Sequence, residues 1–303
     1  MSLPFLSCVS ALRAAGEPSR LRLLAVLAKA ELTVGELCEI VGQSQPRVSR
    51  HLKVLLDAGL LDRFREEHWV YYRVPASGAA HDIVRQLLGL VVAEDDVLVR
   101  DHKRMEGVIA ERARRATDEL PAEARSGPSP EIEALVVREF EGKPVGVLLD
   151  VGTGRGHLLE LLAPRASRAV GIDISTDALR LARTNVHGAG LSHCELQHGD
   201  VYDLPFAPAT FDTATLDRML ATARRPLLAL AEIARTLKPG GRLVVIEDFD
   251  ALFDATKTNP ITTLRQWLSR SGFECARIQP MDTESAHLLM AVGDRIATSI
   301  AAA

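Results

Sequence analysis

The chain has 303 residues, enough for two domains, with 36 Lys and Arg against 40 Asp and Glu and a hydrophobic share of 47%. That composition fits folded globular domains and excludes a disordered chain. No apolar run approaches the ~18 residues of a membrane span, and Met1 to Ala15 lacks the basic start, long apolar stretch and small-residue cleavage site of a secretion signal. A cytoplasmic protein with no membrane partner is therefore expected. Cys8, Cys38, Cys194 and Cys275 form no C-x-x-C pair, which argues against a zinc ribbon or a disulfide framework. Net charge is +2 over residues 1–78, −2 over 79–130 and −4 over 131–303, so a nucleic-acid partner would meet the first segment.

Leu12 to Ala30 carries apolar residues at helical spacing, broken at Gly16-Glu17-Pro18-Ser19, where one helix ends at glycine and a second starts at proline. Thr33 caps a short helix over Val34 to Val41, ended by Gly42; Ser44 then caps Gln45 to Ala58, closed by Gly59. Two short helices joined by a tight turn make a helix-turn-helix. Strands over Leu60–Phe64 and Trp69–Val74 flank a polar tip, Arg65-Glu66-Glu67-His68, so residues 1–78 read as a winged helix-turn-helix DNA-binding domain. Ile83, Leu87, Leu90 and Val91, followed by Val97, Leu98, Met105 and Ile109, predict a long helical connector and dimerisation segment over 79–120. Residues 121–130 collect three prolines, a glycine and two serines and read as a linker.

From residue 131 to 303 strand and helix patterns alternate. The strands fall at Val145–Val151, Ala169–Ile174, Cys194–His198, Phe211–Leu216, Arg242–Glu247, Phe273–Gln279 and Ala286–Val292. Helices fall at Glu131–Glu141, Gly156–Ala163, Thr176–His187, Pro226–Leu237 and Ile261–Ser271. The pattern predicts an α/β, Rossmann-like fold with a largely parallel seven-stranded sheet, whose last two strands pair antiparallel across a short loop.

The first strand of that domain runs through Asp150-Val151 into Gly152-Thr153-Gly154-Arg155-Gly156 and a helix. Glycines there let the backbone approach a ligand closely. Asp173 ends the next strand, placed to accept hydrogen bonds from ribose hydroxyls, and Asp200 ends the third. A dinucleotide site is the rival, but its G-x-G-x-x-G fingerprint fails here, because His157 fills the last required glycine position. Over Glu131 to Asp294 the sequence resembles the class I S-adenosylmethionine-dependent methyltransferases. The carrying residues are Asp150 to Gly156, the run ending at Ser175, Gly199-Asp200, and Leu237-Lys238-Pro239-Gly240-Gly241-Arg242-Leu243. The resemblance implies that Gly152, Gly154 and Gly156 pass the methionine part, that Asp173 holds the ribose, and that Asp200 and Val201 meet the adenine. The full cofactor-binding set read from it adds Asp150, Thr153, Ile174 and Leu216. No catalytic residue is assigned: Asp217 and His157 are candidate bases but read more simply as surface polar residues.

Leu21 to Val74 resembles the ArsR family of bacterial transcriptional repressors, on Leu32 to Leu37, Gln45 to Leu52, and Val70-Tyr71-Tyr72-Arg73. On the second helix Val48, Leu52, Leu55 and Leu56 face the core, which leaves Gln45, Arg47, Ser49, Arg50 and His51 outward to reach base edges, with Lys53, Arg63 and Arg65 available for phosphates. The paired cysteines of metal-sensing members are replaced by Thr33-Val34-Gly35, so no metal site is expected, and Asp95, Asp96, Asp101 and His102 read as a solvated face. The acidic wing tip should weaken phosphate attraction. The resemblance also implies a homodimer on double-stranded DNA, with Leu6 to Ala15 and Ile83 to Met105 as its interface. Three functions remain open: a regulator fused to a methyltransferase acting on a small-molecule acceptor, a non-catalytic sensor of S-adenosylmethionine or S-adenosylhomocysteine, and a methyltransferase whose winged helix only dimerises.

Overall fold

The computed structural model describes residues 4–66, 68–75, 78–92, 94–118, 130–282 and 287–296; Glu67 of the expected wing tip and all but the last residue of the expected linker lie outside them. The chain divides into two compact units, Met1–Leu120 together with Arg183–Ser192, and Pro121–Ala182 together with His193–Ala303.

In the first unit, helices α1 (Phe5–Ala15) and α2 (Pro18–Leu27) precede a short strand β1 (Leu32–Thr33), helices α3 (Val34–Val41) and α4 (Gln45–Asp57), and strands β2 (Asp62–Glu66) and β3 (Trp69–Arg73). Of the expected caps, Thr33 forms its hydrogen bonds, whereas Ser44 stands at the N-cap of α4 without a side-chain bond. Glu17 accepts from the backbone N–H of Arg20, with Pro18 in the first turn of α2. Thr33 and Glu36 close a reciprocal capping box on α3, which ends at Gly42 in the left-handed region. Leu37, Ile40, Val48, Leu52 and Leu55 are buried together. Strand β3 pairs antiparallel with both β1 and β2, giving a three-stranded wing sheet in the order β1-β3-β2.

The connector departs from its expected continuity. It forms two helices, α5 (Ala79–Leu88) and α6 (Asp96–Asp118). Gly89 ends the first, and the Asp95 carboxylate accepts from the Val97 N–H at 2.9 Å to start the second. Nor is Asp101 solvated: it is 1% exposed and takes both ends of the Arg22 guanidinium at 2.6 and 2.7 Å. Helical periodicity placed it on the polar face, but α6 turns that face toward α2.

The second unit begins with α7 (Pro130–Glu139). Strand β4 (Gly146–Val151), helix α8 (His157–Leu162), strand β5 (Ala166–Asp173), helix α9 (Thr176–Gly188) and strand β6 (Cys194–His198) follow. Helix α9 starts in the second unit and ends in the first. Next come β7 (Phe211–Asp217), α10 (Pro226–Thr236), β8 (Leu237–Asp248), α11 (Phe249–Thr256), α12 (Pro260–Arg270), β9 (Phe273–Asp282) and β10 (His287–Arg295). The seven-stranded sheet runs β6-β5-β4-β7-β8-β10-β9, parallel from β6 through β8, with β10 antiparallel to both its neighbours. Helix α11 has no counterpart in the sequence reading. It is started by Asp248, which accepts from the Ala251 N–H at 2.8 Å, and stopped by Lys257 in the left-handed region. Strand order reverses at β4, which pairs with β5 on one side and β7 on the other, so a crevice opens at its carboxyl end.

Candidate cofactor crevice and nucleic-acid face

Four strand ends supply the crevice: Val151 and Gly152 after β4, Asp173 and Ile174 after β5, Gly199 to Tyr202 after β6, and Asp217 to Met219 after β7. With Thr222 to Arg224 they line a cavity of about 680 Å³, within the ~300–1,000 Å³ of small-molecule sites. Its glycine turn is held from below. Asp150, 2% exposed, accepts from the Thr153 hydroxyl and the Thr215 hydroxyl, both at 2.6 Å. Burial pushes its carboxyl up to about 6, against the pull of those hydroxyls, and the nearby charges of Asp217 and Asp173 add to the rise. Gly152 has φ +66, and a Cβ there would lie 3.0 Å from Met219 Sδ, so this position needs glycine on both counts.

Asp173 stands at the centre. Its Oδ2 accepts from the Gly154 N–H and its Oδ1 from the Ser175 N–H, both at 2.8 Å. Beside it Ile174 is 67% exposed, an apolar side chain on a ligand-sized cavity. Asp200 is exposed and accepts from the Tyr202 N–H at 3.0 Å. Of the expected cofactor set, Gly152, Asp173, Ile174, Asp200 and Val201 line the cavity, whereas Asp150, Thr153, Gly154 and Gly156 belong to the turn behind it. Leu216 is a correction: it is wholly buried in the core, because it lies one residue inside the end of β7, and Asp217 is the first residue of that strand to reach the crevice.

Sequence reasoning missed Glu247. It is 1% exposed at the end of β8, and its carboxylate accepts from the N–H groups of Leu220 at 2.7 Å, Ala221 at 3.3 Å and Asp248 at 3.1 Å. Burial raises its pKa although all three bonds oppose the shift. It fixes the loop 218–223, whose Arg218, Met219, Thr222 and Ala223 line the crevice. Its signal was available: an acid closing the apolar run Leu243 to Ile246. Arg218 on that loop has φ +48, outside the usual range for its residue type, with its N–H bonded to the Ile246 carbonyl at 2.8 Å and its guanidinium paired with Asp217. His157, the other candidate base, lies 3.2 Å from Glu133 and does not line the crevice.

On the first unit, Gln45, Arg47, Ser49, Arg50 and Lys53 are exposed along α4, as are Arg63 and Arg65 on β2. His51 is not outward: its side chain is 13% exposed and lies 3.6 Å from Glu17, because the turn that carries it packs on the start of α2. Glu66 is also corrected. It is 4% exposed and accepts two hydrogen bonds from Arg183, at 2.7 and 2.5 Å. Alternation along β2 sends Phe64 and Glu66 to one face and Arg63 and Arg65 to the other, so the Glu66 charge is neutralised away from the basic side.

Residues 17–63 match the family model of the bacterial regulatory proteins of the arsR family, and residues 149–245 match that of a methyltransferase domain. The chain joins an arsR-type helix-turn-helix to a methyltransferase domain. A 37.1 kDa protein of transposon TN4556 from Streptomyces fradiae is 38% identical over 124 residues, covering 40% of this chain and 35% of that protein. The demethylmenaquinone methyltransferase of Thermobifida fusca is 30% identical over 141 residues, or 46% of this chain and 58% of the relative. The chain thus spans between about a third and three fifths of the length of these relatives. The N-methyltransferase NodS of Bradyrhizobium japonicum, solved with S-adenosylhomocysteine, superposes with a TM-score of 0.50 at 20% identity, over 62% of this chain and 97% of its own; that likeness shows the fold.

A methyltransferase domain implies S-adenosylmethionine as cofactor, and the crevice fits that molecule. It offers a carboxylate at Asp173 for a diol, apolar surface at Ile174 for a flat ring, close backbone approach at Gly152, and a small acidic excess for a cationic ligand. No helix among the described residues is long and apolar enough to cross a membrane.

Proposed function

We propose that the chain is a cytoplasmic, homodimeric DNA-binding regulator whose methyltransferase domain transfers the methyl group of S-adenosylmethionine to a small-molecule acceptor. The observation that carries the reading is the crevice at the β4 switch point, with Asp173 beside the glycine turn and a second wall, 217–224, left over for the acceptor. In this reading Gly152, Gly154 and Gly156 pass the methionine part, Asp173 takes the ribose hydroxyls, and Ile174, Asp200 and Val201 enclose the adenine. Asp150 and Thr153 keep the turn in place through their hydrogen bond.

Held by Asp173 and the glycine turn, the cofactor would supply an electrophilic methyl group to an acceptor lone pair, with its sulfur as the leaving group that keeps the carbon–sulfur electron pair. The protein's work is alignment and exclusion of water. Glu247 holds the loop 218–223, which sets where the acceptor atom can stand. A base is required only for a protonated nucleophile, and the loop offers none between Leu220 and Ala223. The one acid on that wall, Asp217, is paired with Arg218, which favours the second reading, a sensor in which cofactor occupancy alone is the signal.

Gln45, Arg47, Ser49 and Arg50 of α4 would enter the major groove, with Lys53, Arg63 and Arg65 on phosphates. Phe5, Leu6 and Leu12 of α1 are 80%, 78% and 50% exposed, an apolar stripe that a second copy would cover. Helix α6 contributes less than the sequence suggested, because Met105, Val108 and Ile109 are already buried in their own unit.

Equilibrium dialysis with labelled S-adenosylmethionine tests the crevice: wild type binds, and Asp173→Ala loses binding by about tenfold or more, the ~1.5–3 kcal/mol expected of hydrogen bonds to a charged group. Equal binding by both would remove the cofactor assignment. Methylated product from a metabolite extract separates enzyme from sensor. Arg47→Ala should weaken operator binding by about 1–3 kcal/mol if it contacts bases, and unchanged affinity would leave the winged helix as a dimerisation module.

A further inference from the structure

Arg224 stands on the crevice wall of the second unit, exposed, and pairs with no carboxylate among the described residues. Each acid lining the same cavity has another partner. Asp173 accepts from the Gly154 and Ser175 N–H groups, Asp200 accepts from that of Tyr202, and Asp217 pairs with Arg218. The next residue, Arg225, is exposed as well, and its guanidinium lies 5.6 Å over the Tyr202 ring rather than on an acid. Two adjacent cations therefore border the crevice with no anion supplied by the described residues.

The backbone that carries Arg224 is fixed on both sides. Before it, Glu247 takes the N–H groups of Leu220 and Ala221 at 2.7 and 3.3 Å, and the Thr222 hydroxyl donates to the Met219 carbonyl at 3.1 Å. After it, the Arg225 N–H donates to the Tyr202 hydroxyl at 3.2 Å, and Pro226 opens α10. The wall also has a direction. A Cβ on Gly152 would lie 3.0 Å from Met219 Sδ, which puts the Met219 end beside the glycine turn after β4. The Arg224 end is tied through Arg225 to Tyr202, which follows β6, and β5 lies between those two strands in the sheet. Between the ends, Met219 and Ala223 are half-buried and offer apolar surface to the cavity.

We propose that Arg224 selects the acceptor: the small molecule methylated here carries a carboxylate or phosphate, which Arg224 holds at the end away from the atom that receives the methyl group. The proposal rests on the cofactor reading of the crevice and names the class of acceptor that goes with it. In that reading the methionine part, with its own carboxylate, passes Gly152 at the opposite end of the wall. Asp173 and Asp200 on one side and Arg224 on the other then sort two ligands of opposite charge, the sulfonium cofactor and the anionic acceptor, within one cavity. A guanidinium meets two oxygens of a carboxylate or phosphate with two parallel N–H bonds. A neutral analogue of the acceptor forfeits those bonds, which is the basis of selection.

The test is a ligand-observed NMR titration of the full chain, saturated with S-adenosylhomocysteine and held at constant ionic strength. The probes are benzoate, phenyl phosphate and benzamide. Wild type should bind at least one of the anions about tenfold more tightly than benzamide, the ratio expected of hydrogen bonds to a charged group. The tighter of the two anions tells carboxylate from phosphate. In Arg224→Gln that preference disappears, while S-adenosylhomocysteine, followed by equilibrium dialysis, binds as in wild type. Arg224→Lys, which keeps the charge without the fork, retains a weaker preference. Equal binding of the three probes by wild type overturns the proposal and leaves the cofactor reading standing, as does a preference that survives in Arg224→Gln. Loss of S-adenosylhomocysteine binding in Arg224→Gln also overturns it, because Arg224 would then hold the cofactor's own carboxylate. Failure of wild type to bind S-adenosylhomocysteine removes the cofactor reading and the proposal together.

Discussion

Asp150 and Glu31 are both carboxylates sealed from water at 2% exposure, and burial alone pushes each toward its protonated form. Under the crevice, Asp150 has only hydroxyl partners and two further acids nearby, and its pKa rises to about 6. Beside the wing, burial acts on Glu31 in the same sense, but Arg183, Arg73 and their hydrogen bonds outweigh it and hold the acid below its usual range. The sign of each shift is set by where the nearest cation comes from. The wing cluster carries its own cations and is complete as it stands. The crevice is lined by Asp173, Asp200 and Asp217 against Arg218 and Arg224, with Arg218 paired to Asp217 and Asp150 buried beneath the turn, a small acidic excess that a cationic sulfonium ligand would relieve.

Removing the wing's cation should break the contrast most severely. Arg183→Met takes the guanidinium from buried Glu66 and leaves Glu31 with Arg73. It should cost the first unit about 3–5 kcal/mol, measured by urea unfolding followed at Trp69 in a Trp267→Phe background. A variant within error of wild type would show that the cluster contributes packing and not charge.

Acidity should then pull the two units in opposite directions. His187, on α9 one turn past Arg183, is lowered to about 4 by burial, with Arg112 and Arg183 adding to the effect and Glu31 opposing it. The unfolded chain therefore takes up that proton first, and the first unit loses stability as pH falls from about 6.5 toward 4, by roughly 3 kcal/mol in full. His187→Gln should remove that slope, seen as the difference between the two unfolding curves. For Asp150 the sign is reversed. The folded state holds its proton up to about 6 and the unfolded state releases it near 3.8, so stability of the second unit falls as pH rises between them, again by roughly 3 kcal/mol. The difference between wild type and Asp150→Asn, followed at Trp267, should grow across that window and stay level above it. A difference independent of pH would mean that Asp150 ionises normally.

The smallest effect is expected where neither burial nor a ligand is involved. Glu111 pairs with Arg114 and Arg115 on the solvent side of α6, with exposures of 40%, 75% and 69%. Glu111→Gln should change stability by no more than about 0.5 kcal/mol, and less in high salt.

Much of this architecture is written in local signals. The bounds of β6 coincide with the expected Cys194–His198, and α4 begins at the expected Gln45, with Pro46 in its first turn although Ser44 makes no side-chain cap bond, because turn residues and helix-start residues act on their immediate neighbours. The glycine turn, Asp173 and Asp200 were legible because backbone approach and strand-end carboxylates need particular residue types at fixed spacing. Periodicity failed where two helical stripes abut: Leu90 and Val91 continue the apolar rhythm across Gly89, yet the helix ends there. It also failed for side chains whose direction depends on a neighbouring element. His51 and Asp101 lie on polar faces that turn out to be packed, and Leu216 lies on the core side of its strand end.

The sequence by itself determined the two kinds of fold, the strands of the larger sheet, the glycine turn and the outward residues of α4 other than His51, since each depends on patterns within a few residues or on alternation along one element. Tertiary structure alone decided which charges are neutralised. Glu66 reads as an acidic blemish on a DNA-binding wing until Arg183, 117 positions away, is seen to bury it. Glu247 reads as a strand-end acid until the three amides of its neighbouring loops converge on it. Electrostatic partners are chosen by distance in space, and distance in sequence carries no trace of them.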